Sequence, residues 1–142
     1  MSMSDKKVRT PRGSRDLASL KTILIVVNEE PLAHALFQAI LQRTPYIAFL
    51  AANSVEAMNI TKDIKPDVLL LDSNLPGVSG IELYDQLHAT RTLEDIPAII
   101  LSVYSPQQEH EIEQRQLAIL WKPFTLDNLL STIQRVLATP PP

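Results

Sequence analysis

The 142-residue sequence contains no cysteine, and that one absence removes disulfides, thiolate zinc sites and cysteine nucleophiles together. Any metal must be held by oxygen or imidazole. Glycine is nearly as scarce: Gly13, Gly77 and Gly80 are the whole set. No GxxxxGK[ST] loop, GxGxxG turn or GxSxG elbow can be built from them, so nucleotide-binding and serine-hydrolase readings lose their main support. Long hydrophobic runs are missing too. Stretches such as Ile23 to Val27 and Leu117 to Trp121 span five residues, and a membrane span needs roughly 18. Met1 to Ser19 reads as Lys, Arg, Ser and Asp with scattered apolar residues, which is not the pattern of a secretory signal. The expectation is a cytoplasmic protein.

What is present is a chain with 45% apolar side chains, 13 Lys+Arg and 16 Asp+Glu, a balance suited to one globular domain. The charge is unevenly placed. Residues 1–20 carry Lys6, Lys7, Arg9, Arg12 and Arg15 against Asp5 and Asp16, a local +3, which leaves −6 for the remainder. This basic N-terminal tail is read as a flexible leader, with no function assigned to it. At the other end, Thr139 and three prolines close the sequence with residues that cannot continue a helix. The expected organisation is therefore a tail at 1–20, one domain at 21–138 and a Pro-rich end at 139–142.

Within that domain, short β-branched and aliphatic runs alternate with segments of helical period. That alternation predicts an α/β, (βα)5 doubly wound parallel sheet with helices on both faces. The predicted strands are Thr22–Val27, Tyr46–Ala51, Val68–Leu71, Ala98–Ser102 and Ala118–Trp121. Helix one, opened by Pro31, carries the stripe Leu32, Leu36, Phe37, Ile40 and Leu41. Helix two starts at Asn53 or Ser54, where Asn53 and Glu56 have capping-box spacing, and turns Val55, Met58 and Ile64 inward. Helices three and four are predicted near Ile81–Ala89 and Gln107–Gln116. The last helix has an i, i+3, i+4, i+7 stripe of Leu126, Leu129, Leu130, Ile133 and Leu137.

In open parallel sheets the ligand site lies beyond the carboxyl ends of the strands, so the residues following each strand carry the chemistry. Asn28, Glu29 and Glu30 follow the first strand, Asp72 the third, Ser102 closes the fourth, and Lys122 follows the fifth. Carboxylates from neighbouring loops suit Mg2+, with Glu29 and Asp72 as the ligands. At the same edge an ammonium neutralises phosphoryl oxygens, a hydroxyl donates to one, and an aspartate beside a metal can attack phosphorus. His34, His88 and His110 lie apart with no partner spacing, and are read as solvated or half-buried rather than metal-binding.

These residues resemble the receiver domains of two-component response regulators over roughly Lys21 to Leu137. Ile23-Leu24-Ile25-Val26-Val27-Asn28-Glu29-Glu30-Pro31 looks like the family's first strand and acidic loop. Pro66-Asp67-Val68-Leu69-Leu70-Leu71-Asp72-Ser73-Asn74-Leu75-Pro76-Gly77-Val78-Ser79-Gly80 looks like its phosphoacceptor strand and loop, and Pro97–Ser102 and Trp121-Lys122-Pro123-Phe124 like its other two signatures. The resemblance implies a flavodoxin-like strand order 2-1-3-4-5. Asp72 would accept a phosphoryl group from a sensor histidine kinase or phosphotransfer protein, and Asn74 would offer its backbone carbonyl to Mg2+. Lys122 and Ser102 would contact the phosphoryl group. A downstream protein would dock on the face of helix 4, strand 5 and helix 5, with no direct nucleic-acid or membrane contact. Such a module is not a turnover enzyme; at most it catalyses its own phosphorylation and dephosphorylation.

Departures from the family pattern carry expectations of their own. Two acidic residues are usual where this chain has Asn28 and Glu29, so Mg2+ affinity should fall. Arg115 and Gln116 replace a usual Gly-Ala pair, and Ile119 replaces a usual aromatic residue. Alternation puts Trp121 on the same side as Ile119, where it would serve as a substitute bulky reporter of activation. Val103 replaces a small residue and would narrow access to the site. The competing reading is a degenerate receiver that binds partners without phosphorylation, the discriminating property being Mg2+ affinity. A flavodoxin-like carrier would need a neutral Ser/Thr/Gly-rich phosphate loop, and Asn28-Glu29-Glu30-Pro31 is not one.

Overall fold

The computed structural model describes residues 20–138, so the expectations for the basic tail and the Pro-rich end lie outside the described residues. Ten regular elements alternate: β1 (Thr22–Val26), α1 (Glu30–Arg43), β2 (Ile47–Ala51), α2 (Ser54–Asp63), β3 (Val68–Asp72), α3 (Gly80–His88), β4 (Ala98–Val103), α4 (Pro106–Gln114), β5 (Ala118–Lys122) and α5 (Leu126–Ala138). The strands form one parallel sheet in the order β2-β1-β3-β4-β5. After β1 the chain steps to one side, and after β2 it crosses back, so the direction of winding reverses between β1 and β3. A crevice opens at that point beyond the strand ends.

Side-chain alternation along the central strands divides the core in two. Leu24, Val26, Leu69, Leu71 and Ile100 pack with Ala57 of α2, with Ile81, Leu83, Tyr84 and Leu87 of α3, and with Ile112 of α4. Ile23, Ile25, Leu70, Ile99 and Leu101 pack on the opposite face with Leu36, Phe37 and Ile40 of α1 and with Leu129 and Ile133 of α5. Every residue of β3 is buried, as a central strand covered on both faces requires. Burial of these aliphatic side chains, about 1.5–3 kcal/mol each, holds the layers together.

Helix two differs from expectation. Val55 is 67% exposed, whereas Ala57 is buried and Met58 and Ile60 are partly covered. Two residues are a rotation of about 200° on a helix, so the face that buries Ala57 turns Val55 to water. Asn53 caps α2 by accepting from the Glu56 N–H at 2.9 Å, but Glu56 reaches back to the Ala52 N–H rather than to that of Asn53. In α5, Leu126 of the first turn is 37% exposed, although Leu129 and Ile133 are fully buried.

Helix α4 stops two residues before the predicted Gln116. The Leu117 N–H bonds to Ile112 O and the Gln116 N–H to Glu113 O, a Schellman ending that puts Gln116 at φ 58. A short 3-10 turn, Arg91–Leu93, buries Leu93 between α3 and β4. No described helix is long and apolar enough to cross a membrane.

Candidate functional site

Three of the predicted residues meet at the carboxyl edge of β3, β4 and β5. Asp72 ends β3 and is 2% exposed; Ser102, near the end of β4, is equally buried. Lys122 ends β5 and crosses over β4 to place its Nζ 2.9 Å from Asp72 Oδ2. The carboxylate's other oxygen, Oδ1, accepts the Asn74 N–H at 2.9 Å. One charged and one backbone donor therefore satisfy the buried carboxylate, which is what its burial demands. The following Lys122–Pro123 peptide bond is cis.

The loop after β3 is pinned to the strand end. Asn74 pairs with Ser79 across it, and the Gly80 N–H bonds to Ser73 O at 3.1 Å. A Cβ on Gly80 would lie 2.3 Å from the Asp72 carbonyl oxygen, so only glycine lets α3 start this close to the site. Gly77 takes the left-handed φ of 83 that the turn needs. Ser79 and Glu82 complete a reciprocal capping box, with Ser79 Oγ accepting the Glu82 N–H at 3.1 Å and Glu82 Oε1 the Ser79 N–H at 2.8 Å. The sequence reading passed over this cap, although Ser-x-x-Glu spacing is its usual signal.

The β1 end is organised differently. Glu29 is exposed at the N-cap of α1 and makes no capping hydrogen bond with its side chain. Asn28 is also exposed, and its Nδ2 donates to the Ala52 carbonyl at 3.0 Å, tying the end of β1 to the end of β2. Among the described residues no three His, Asp or Glu side chains gather as a metal-binding group. His88 instead stacks on Tyr84 at a centroid distance of 4.8 Å.

Two further residues, assigned no part from the sequence, border the site. Ser73 Oγ donates to Ser102 Oγ at 3.0 Å, and Ser102 Oγ donates to Val103 O at 2.8 Å. Tyr104 meets Trp121 edge to face at 5.0 Å and donates its hydroxyl to Glu109 of α4. Trp121 does share a face with Ile119, both packing on the α3 side of the sheet. Val103 is 68% exposed. Arg115 forms a two-pronged pair with Asp85 at 2.9 and 2.8 Å that joins α4 to α3. That bond holds the Asp85 carboxyl below its ordinary range.

A five-stranded parallel sheet of this winding, with Asp, Ser and Lys at adjacent strand ends, is the arrangement that the resemblance to receiver domains implies. Residues 24–134 match the response regulator receiver domain family, and the chain belongs to it. It is similar to the phosphate regulon transcriptional regulatory protein PhoB of Pseudomonas aeruginosa, with 35% identity over 120 residues. That match covers 82% of this chain, which spans only 52% of PhoB. Sporulation initiation phosphotransferase F of Bacillus subtilis is 27% identical over 117 residues, covering 80% of this chain and 92% of that protein. Among solved structures, the chemotaxis response regulator CheY4 of Vibrio cholerae superimposes with a TM-score of 0.76 at 26% identity, covering 83% of this chain and 99% of CheY4.

Proposed function

We propose that this chain is a phosphorylation switch in which Asp72 accepts a phosphoryl group from the phosphohistidine of a sensor histidine kinase or phosphotransfer protein. The observation that carries the reading is the 2.9 Å contact between Asp72 and Lys122, 50 residues apart in sequence, with the Ser102 hydroxyl buried on the strand between them. An oxygen of the Asp72 carboxylate attacks phosphorus. An O–P bond forms, the P–N bond breaks, and the released imidazole nitrogen takes up a proton. Lys122 and the Asn74 N–H orient the carboxylate beforehand, and Lys122 then faces the oxygens of the transferred group.

Glu29, Asp72 and the backbone carbonyl of Asn74 would hold Mg2+. The donor set fits, because this hard cation takes one or two carboxylates and keeps several waters. When bound, Mg2+ neutralises charge on the phosphoryl oxygens. Residues 21–138 are the receiver, with a basic tail before it and a Pro-rich end after it. The switch acts in the cytoplasm and signals to a downstream protein through the α4–β5–α5 face, without direct nucleic-acid or membrane contact. It turns over no external substrate, and at most catalyses its own phosphorylation and dephosphorylation.

One observation favours a second reading, a degenerate receiver that binds partners without phosphorylation. Asn28 stands where the family has a carboxylate, and its amide is tied to Ala52. The deciding experiment is incubation with a small-molecule phosphodonor, with and without Mg2+, followed by intact mass measurement beside an Asp72→Asn variant. The switch requires a Mg2+-dependent phosphoryl adduct that the variant lacks. No adduct, together with no Mg2+ binding by calorimetry, selects the degenerate module.

A further inference from the structure

Ser73 lies beside Asp72 and takes no part in the transfer described above. Its backbone is held on both sides: the N–H donates to Leu101 O at 2.8 Å, and the carbonyl accepts from Gly80. Its hydroxyl is 3.0 Å from that of Ser102, which in turn is 2.8 Å from the Val103 carbonyl. A carbonyl can only accept, so the single hydroxyl proton of Ser102 is directed at Val103, and Ser73 must be the donor between the two serines. Ser102 is thereby committed as a donor in the resting protein. The donors on Asp72 are Asn74 and Lys122, not Ser102.

We infer that Ser73 is a positioning residue for Ser102: its hydroxyl latches Ser102 in the rotamer turned to Val103 and so opposes activation. This inference rests on the phosphorylation-switch reading. A phosphoryl group on Asp72 offers charged oxygens, which form stronger hydrogen bonds than a neutral carbonyl. Ser102 answers by rotating. Its proton leaves the Val103 carbonyl for a phosphoryl oxygen, and Ser73 loses its acceptor. Ser73 thus sets the threshold that the phosphoryl group must overcome.

Fluoroberyllate with Mg2+ is a suitable phosphoryl mimic, and its binding is read by calorimetry or by the fluorescence of Trp121, the sole tryptophan and the register partner of Ser102. Ser73→Ala should bind it more tightly, on the order of 2- to 10-fold, the worth of one hydrogen bond. Ser73→Thr, which keeps the hydroxyl, should match the wild type. In a Ser102→Ala background, Ser73→Ala should change nothing. Equal or weaker binding by Ser73→Ala overturns the latch. Urea unfolding of the wild type, both single variants and the double variant reads the same bond without ligand. Latched hydroxyls give a non-additive change of several-fold in the unfolding equilibrium, whereas additive effects overturn the latch. If the wild type binds no fluoroberyllate, the phosphorylation switch fails and the threshold role of Ser73 is overturned with it, while the unfolding coupling separately reads whether the Ser73–Ser102 bond forms.

Discussion

The two halves of the strand-end edge differ in how far the protein itself has organised them. On the β3–β4–β5 side, Asp72, Ser102 and Lys122 are buried or half-buried, and every polar group named there has a partner within the chain. On the β1 side, Asn28 and Glu29 are exposed, and the one bond made by a side chain points away, to Ala52. The contrast has a physical origin. Buried charges must be paired, so the β3–β4–β5 side is over-determined by its own hydrogen bonds. Exposed groups are satisfied by water and need no fixed geometry. The half proposed to accept the phosphoryl group is therefore preorganised, whereas the β1 side, which would give Mg2+ only Glu29, is not.

The largest effect should come from disturbing the ordered half at its closest contact. Gly80→Ala forces a methyl group against the Asp72 carbonyl 2.3 Å away, and backbone on both sides leaves little room to yield. A loss of about 1–3 kcal/mol, read from the urea midpoint, is expected. An unchanged midpoint would show that the loop is looser than the contrast implies.

Next comes Lys122→Met, which leaves the buried Asp72 without its cation. Breaking a fully buried pair costs about 3–5 kcal/mol. Lys122 keeps 24% of its side chain in solvent, and the expected loss is therefore nearer to about 1–2 kcal/mol. Restoring stability by adding Asp72→Asn would confirm that the unpaired carboxylate is the cause.

Asn28→Asp tests the other half and should act in two opposite directions. The added carboxylate raises Mg2+ affinity, on the order of tenfold by calorimetry, because ligand charge sets affinity at such sites. Losing the donor to Ala52 lowers stability by about 0.5–1.5 kcal/mol without metal. A gain in affinity with no loss of stability would mean that the Asn28 bond does not hold β1 to β2.

The smallest effect is expected at a pair outside both halves, Arg115 with Asp85. The hydrogen bond from Arg115 holds the Asp85 carboxyl below its ordinary value of 3.8. A depressed carboxylate contributes stability above its unfolded pKa, and loses it as pH falls through the lower folded value. Asp85→Asn should therefore cost only a few tenths of a kcal/mol at neutral pH. That difference should vanish in acid, well below pH 3.8, in thermal unfolding across a pH series.

The sequence by itself determined the alternation of strands and helices, because a strand covered on both faces must be continuously aliphatic and a helix on a sheet must carry a stripe. Val68–Leu71 and the Leu129–Ile133 stripe are examples, and both are core. It also placed Asp72, Ser102 and Lys122 at strand ends, since a polar residue that closes an aliphatic run marks where the strand reaches the edge of the core. Which helix face turned inward was less legible where the apolar pattern was thin, and Val55 came out exposed for that reason. Tertiary structure alone decided what lies within bonding distance. The Asp72–Lys122 contact joins strand ends on either side of β4, the Ser73–Ser102 bond joins adjacent strands, and Asn28 turns to Ala52 rather than to Asp72. Such contacts depend on angles and ångströms set by the packing of whole layers, which residue order along one chain does not encode locally.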